Sequence, residues 1–428
     1  MRPLLAALLA LAVPTAAIAD AKPSPAELQK LMDETDAIAQ TVSSIRGLPV
    51  KRRIERGILS KEEVEKRVIG HIDRDTPPGE LHAEELALKR LGLLPADMDY
   101  RQEIVNLLSE QIAGFYDPSV KELYLADWIL PSMQRMVMAH EIDHALQDQR
   151  FDLDRFQKAD QDNDALMARQ ALVEGDGVAL MVEFMMREMG EKTDPWANDA
   201  IVNAMAAASG LTGAAEFDKA PLVLKETLLF PYQEGLRLIA SSRRTHPWSD
   251  VDAMYARPPV SSEQVMHPEK YRANERPIAV KSSPLAVLKA WKPRYQNTLG
   301  ELIFRVIFEQ HGVAKERASR AAAGWGGDRI AVYEGPAGTL AIDLSVWDAE
   351  ADALEATDAL IESLPSLASG PPDVYAERSP TTATVTGKDG SVSLVERKGV
   401  KVLFVVGAPV EVVEKVRAEA WAKWKTRP

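Results

Sequence analysis

Apolar residues recur at steps of three and four over Ala26–Ser44 and Lys61–Asp73, which predicts two amphipathic helices. Ser60, just ahead of Glu62 and Glu63, is positioned to cap the second. Pro77-Pro78-Gly79 interrupts the helical period and Leu81–Leu91 resumes it. The pattern then turns strand-like. Gly114-Phe115-Tyr116 runs into the turn residues Asp117-Pro118-Ser119, and Leu123-Tyr124-Leu125 follows, so Ile112–Ala126 is expected to be a hairpin. Helical spacing returns over Ser132–Gln149, opened by Pro131, and over Ala165–Met189, with the polar stretch Asp152–Asn163 as a loop between them. Asn198–Ser209 and Leu222–Ser241 read as further helices.

The pattern changes after Tyr271. Arg272–Pro284 is extended and contains proline, and residues 272–298 are expected to link two domains. Leu299–Gln310 is helical, and Ile330–Tyr333, Ala341–Val346, Thr382–Thr386, Ser391–Glu396 and Lys401–Val406 read as strands. Lys388-Asp389-Gly390 suits a hairpin turn, and the helices Asp348–Leu364 and Val410–Lys425 flank the strands. The expected fold class is α+β. An α-rich domain with a small edge hairpin covers residues 20–271, and a small α+β sandwich of mixed strands covers residues 299–428.

The leader changes the picture of where the chain works. Arg2 precedes an apolar run from Leu4 to Val13, and Ala17-Ile18-Ala19 offers a small-x-small cleavage site before Asp20. Residues 1–19 are therefore expected to be a secretory signal, and the mature protein to be periplasmic or secreted. The run is well short of the ~20 residues that span a bilayer, and no membrane span is expected elsewhere. Among 428 residues there is no cysteine, which excludes disulfide frameworks, cysteine nucleophiles and iron–sulfur clusters. Any metal must be held by histidines and carboxylates. The formal net charge of −13 argues against nucleic acid as a partner.

The candidate chemistry lies in His140-Glu141-Ile142-Asp143-His144. Residues four apart on a helix sit ~6 Å apart along the axis and nearly in line around it, so both imidazoles can converge on one Zn²⁺. Glu141 points to the same side, while Met138, Ile142, Ala145 and Leu146 form an apolar back. A catalytic zinc takes three protein ligands and leaves one position for water, whose proton an adjacent carboxylate can accept. Glu141 is the candidate general base for hydrolysis of a peptide or protein substrate.

The third ligand sets the subclass. Gln147 and Arg150 stand where a metzincin requires Gly and His. Asp148 shares the face but lies ~12 Å along the helix axis from His140. Glu174, in Ala171-Leu172-Val173-Glu174-Gly175-Asp176-Gly177, is the better candidate, because a carboxylate in an apolar helix needs a partner. Gly175 and Gly177 cost roughly 1 kcal/mol each in a helix, which a close helix crossing would explain. Tyr232 and His267 are candidate hydrogen-bond donors to a developing oxyanion.

These residues resemble the gluzincins, zinc peptidases whose two motif histidines are joined by a Glu from a downstream helix. The resemblance implies His140, His144 and Glu174 as ligands and Glu141 as base. It also implies Leu123–Leu125 as the edge strand along which an extended peptide lies. Beyond the motif, the chain is similar to a family of exported bacterial gluzincin-like proteins. The matching segments are Gly114–Pro118, His144–Gln149, Phe230-Pro231-Tyr232, Pro258–Gln264 with His267-Pro268, and Gly324–Arg329. Two positions depart from the pattern. Asp143 stands where an uncharged residue is usual, and Val178 stands where compact gluzincins carry an acidic residue that orients a histidine. Two other functions fit the same residues. One is a catalytically silent zincin-fold protein with a structural metal and a partner-binding C-terminal domain; the other is a hydrolase of a non-peptide bond. An open coordination position separates an enzyme from a silent relative.

Overall fold

The computed structural model describes residues 9–12, 23–128, 131–158, 162–208, 215–368 and 375–427. The cleavage site of the expected signal lies outside the described residues; of the leader itself, Leu9–Ala12 is described as a strand. The protein is mixed α+β, helical in its first part and dominated by a sheet in its last. No helix among the described residues is long and apolar enough to cross a membrane.

The first part is built on a four-stranded sheet: β1 (Leu9–Ala12), β2 (Glu55–Leu59), β3 (Ile112–Asp117) and β4 (Glu122–Ala126), in the order β1-β3-β4-β2. Helix α1 (Pro25–Arg46) precedes β2, starts in a capping box between Ser24 and Glu27 and stops at Gly47, whose φ of 81° suits glycine. The expected hairpin is β3–β4, antiparallel with Phe115 opposite Tyr124. Leu123–Leu125 is not the edge strand, however, because Glu55–Leu59 pairs in parallel with β4 on its far side. The edges are β2 and β1, and β1 lies antiparallel along β3, Leu9 opposite Tyr116 and Ala10 opposite Phe115.

Three long helices pack against one another beside this sheet: α2 (Pro131–Phe151), α3 (Asn163–Glu188) and α4 (Leu222–Arg243). Gly114 lets α2 settle close to β3, since a Cβ there would stand 2.9 Å from Val137 Cγ1. Gly175 of α3 meets Gly235 of α4 backbone to backbone; a Cβ on Gly175 would lie 2.2 Å from the Gly235 carbonyl carbon. That crossing accounts for one of the two glycines beside Glu174.

The last part is a seven-stranded, wholly antiparallel sheet rather than the mixed one expected. After the short β5 (Ala279–Lys281), its strands are β6 (Lys292–Asn297), β7 (Trp325–Gly335), β8 (Gly338–Trp347), β9 (Tyr375–Arg378), β10 (Thr382–Thr386), β11 (Ser391–Lys398) and β12 (Lys401–Pro409). The order β6-β7-β8-β12-β11-β10-β9 follows from the helix Glu350–Leu367, which carries the chain to the far edge. The chain then meanders back, so β12 meets β8 antiparallel. The helices Glu350–Leu367 and Val410–Lys423 cover opposite faces, Phe404 and Val406 packing with the first and Leu403 and Val405 with the second.

Residues 272–298 are more than a linker, since β6 forms the edge of this sheet. The two parts also share one hydrophobic core, which runs from Leu31 to Val406. Polar contacts at the start of α3 also join them. Asn163 N donates to Asn297 Oδ1 (2.8 Å), Ser262 N donates to Asp164 Oδ2 (3.1 Å), and Arg329 pairs with Asp162. Trp325–Arg329 opens β7. Asp328 there accepts from Gly300 N and Trp325 Nε1, both at 2.9 Å, holding the start of helix α5 (Gly300–Gln310).

Candidate metal centre

Helices α2 and α3 bring three side chains to one point. His144 Nε2 lies 2.9 Å from His140 Nε2, and Glu174 Oε2 lies 3.2 Å from His140 Nε2 and 3.3 Å from His144 Nε2. Four donors around Zn²⁺ at ~2.0–2.1 Å stand ~3.3 Å apart, so this triangle fits the ion. Among the described residues no fourth histidine or carboxylate joins the three within 4.8 Å. Glu141, one residue along α2, is buried beside them, and its carboxylate acts electrostatically on both His144 and Tyr232.

Gly177 explains the second glycine. A Cβ there would stand 2.7 Å from His140 Cε1 and 3.1 Å from His144 Cε1, so any larger residue displaces both rings. Gly177→Ala is therefore expected to weaken zinc retention by at least about tenfold, the effect of disturbing the support of metal ligands. Gly70→Ala, whose added methyl meets nothing within 4 Å, is expected to leave it unchanged. Chelator competition on both variants measures the difference.

Both sequence-nominated oxyanion donors have definite positions. Pro231 lies inside α4, and Tyr232 follows it into the site, its ring stacked on His140 at 6.5 Å between centroids and its hydroxyl hydrogen-bonded to Glu174. Burial and the Glu174 and Glu141 carboxylates push the phenol's pKa well above its usual value, so it keeps its proton. His267 is not part of the centre. Pro268 starts a new short helix there, and the ring turns to Glu301 of α5, Nε2 to Oε1 at 2.9 Å.

Several supporting residues escaped the sequence reading. His144 Nδ1 lies 3.0 Å from Gln147 Oε1. Gln170 Nε2 donates to Glu174 Oε1 (2.9 Å) and itself accepts from Gln157 Nε2 (3.1 Å). Spacing could have found both glutamines, one helical turn after His144 and one before Glu174. Asp176 is held by Arg46 of α1, at 2.7 and 2.9 Å, and by the Tyr255 hydroxyl at 2.8 Å. Nothing local announces a partner 130 residues away. The departures are also explained. Asp143 is buried and accepts from Gln147 rather than facing solvent, and Val178 belongs to the core. Asp148 is an anchor, accepting from Tyr116 Oη (2.8 Å), Lys121 Nζ (2.8 Å) and Leu153 N (3.1 Å).

The charge balance would make metal binding at this centre pH-dependent. Burial lowers the pKa of His144, but the Glu174 and Glu141 carboxylates and the Gln147 hydrogen bond together outweigh it and raise the imidazole to about 9. A ligating histidine must be neutral, so at neutral pH binding must expel a proton. Apparent zinc affinity is expected to climb about tenfold per pH unit through the neutral range and to level off above about 9. An affinity flat between pH 6 and 8, by competition titration, would contradict this.

A family profile described as "Domain of unknown function (DUF8575)" matches residues 290–417, which is the antiparallel sheet with its helices and excludes the metal centre. No curated protein and no solved structure matches the chain.

Proposed function

We propose that the protein is an exported, zinc-dependent peptidase of gluzincin type, with His140, His144 and Glu174 holding the metal and Glu141 as general base. The observation that carries this reading is the triangle of three donors with Glu141 buried beside it: three protein ligands, not four, are the mark of a catalytic zinc. When bound, the ion would polarise a substrate carbonyl and lower the pKa of water towards ~7. Glu141 would take the proton from the attacking water and return it to the leaving amine. The Tyr232 hydroxyl, kept protonated, would donate to the oxyanion. The backbone of β3 would orient an extended peptide by adding it to the sheet. Removal of the leader would carry β1 away and bare that edge. Export rests on Arg2, the apolar run Leu4–Val13 and Ala17-Ile18-Ala19.

One observation favours a second reading. His140, Glu141, His144 and Glu174 are all 0% exposed, as they would be in a silent protein with a structural metal. A digest of a general peptide library by the zinc-loaded protein, with and without Glu141→Gln, separates the two. Cleavage lost in the variant supports the peptidase; no cleavage by either, with zinc bound, supports the silent protein.

A further inference from the structure

We propose that Gln147 is a positioning residue for the metal centre: with Asp143 it forms a hydrogen-bonded chain of fixed polarity that holds His144 in the tautomer whose Nε2 faces the metal. The inference rests on the zinc site but not on catalysis. Gln147 Nε2 lies 2.7 Å from Asp143 Oδ2 and 3.5 Å from the Val173 carbonyl oxygen. A backbone carbonyl can only accept, so this end of the amide is the donor. The other end, Oε1, is then an acceptor, and it lies 3.0 Å from His144 Nδ1. Nδ1 must carry a proton, so that once His144 is neutral its Nε2 lone pair is directed at His140 Nε2 and Glu174 Oε2.

The chain also explains why an amide stands at 147 when histidine ligands are commonly oriented by carboxylates. All three side chains are 0% exposed. Beyond Asp143 lie Asp176, Arg46 and Tyr255. An ionised carboxylate at 147 would have no donor to offer Asp143 across the present 2.7 Å contact. An amide accepts from the ring and donates to Asp143 at once. Val173 directly precedes Glu174, so the same amide also ties α2 to α3 beside the third ligand.

The test is zinc affinity by chelator competition on the full chain, with far-UV circular dichroism as a check on folding. Gln147→Met, which keeps the volume and removes all three hydrogen bonds of the amide, is expected to weaken binding roughly 10–100-fold. Gln147→Glu is expected to weaken it at least as much. Adding Asp143→Asn to Gln147→Glu reverses donor and acceptor between the two residues, and is expected to recover most of the loss. A purely space-filling role would not give that recovery. Wild-type affinity in Gln147→Met, or a double variant as weak as Gln147→Glu, would overturn the proposal. Nitrogen-15 NMR of wild-type His144 gives a reading independent of how the variants fold: a hydrogen-bonded Nδ1 proton is expected, and an unprotonated Nδ1 in the folded protein would overturn it. A wild type that binds no zinc would sink the metal site instead, while the NMR would still report on the chain.

Discussion

Replacing Glu141 by glutamine is expected to leave zinc bound and to lower peptide hydrolysis by roughly 10²–10⁴-fold, the contribution of a positioned general base. The substitution keeps the shape of the side chain. Glu141 is not one of the three donors that converge within 4.8 Å, so the metal loses no ligand. What disappears is a group able to accept a proton, because a carboxamide has no useful basicity at neutral pH. Glu141 is 0% exposed, so bulk water cannot readily replace it as the acceptor. Initial rates on a peptide library, read alongside metal content, give the answer; undiminished rates would remove Glu141 from the mechanism.

The largest effect on stability is expected at a residue far from the chemistry in sequence. Arg46→Met should cost about 3–5 kcal/mol, the range for removing one partner of a buried ion pair. Arg46 and Asp176 are both 0% exposed in their side chains and joined at 2.7 Å, and Arg46 also reaches Asp252 at 2.7 Å. The guanidinium of α1 thereby neutralises a carboxylate two residues after Glu174, in a region where Asp143 is also buried. Without it, Asp176 keeps the Tyr255 hydroxyl but loses its countercharge. Chemical denaturation of the full chain measures the loss; a value under about 1 kcal/mol, as for an exposed pair, would contradict the account.

The parts of this protein legible in its sequence are those set by local periodicity. The hairpin Ile112–Ala126, the helices carrying His140 and Glu174, and most C-terminal strands announce themselves by spacing and turn residues. β2 does not: Glu55-Arg56-Gly57 offers no apolar alternation, and its parallel partner β4 comes more than sixty residues later. The resemblance implies Leu123–Leu125 as the edge strand, and with β2 unseen nothing in the sequence corrects it, because an edge is defined by what lies on the other side. The same distinction separates Tyr232 from His267. Both are polar residues next to proline, but one sits on the helix that crosses Glu174's helix at Gly175 and Gly235, while the other pairs with Glu301, 34 residues on. The candidate ligands His140 and His144 and the candidate base Glu141 are legible in the motif, and Glu174 as a carboxylate interrupting an apolar helix. Of their supports, Gln147 and Gln170 stand one helical turn from His144 and Glu174, but Arg46 and Asp252 reach the site only through tertiary packing.

Elemental analysis of the purified protein and of Glu174→Ala bears most directly on the three-donor centre. One zinc per chain is expected in the wild type, and a marked loss in the variant at unchanged secondary structure, since two histidines alone do not make a catalytic zinc site. A wild type that takes up no zinc, or a variant that retains it fully, would contradict the centre built from His140, His144 and Glu174.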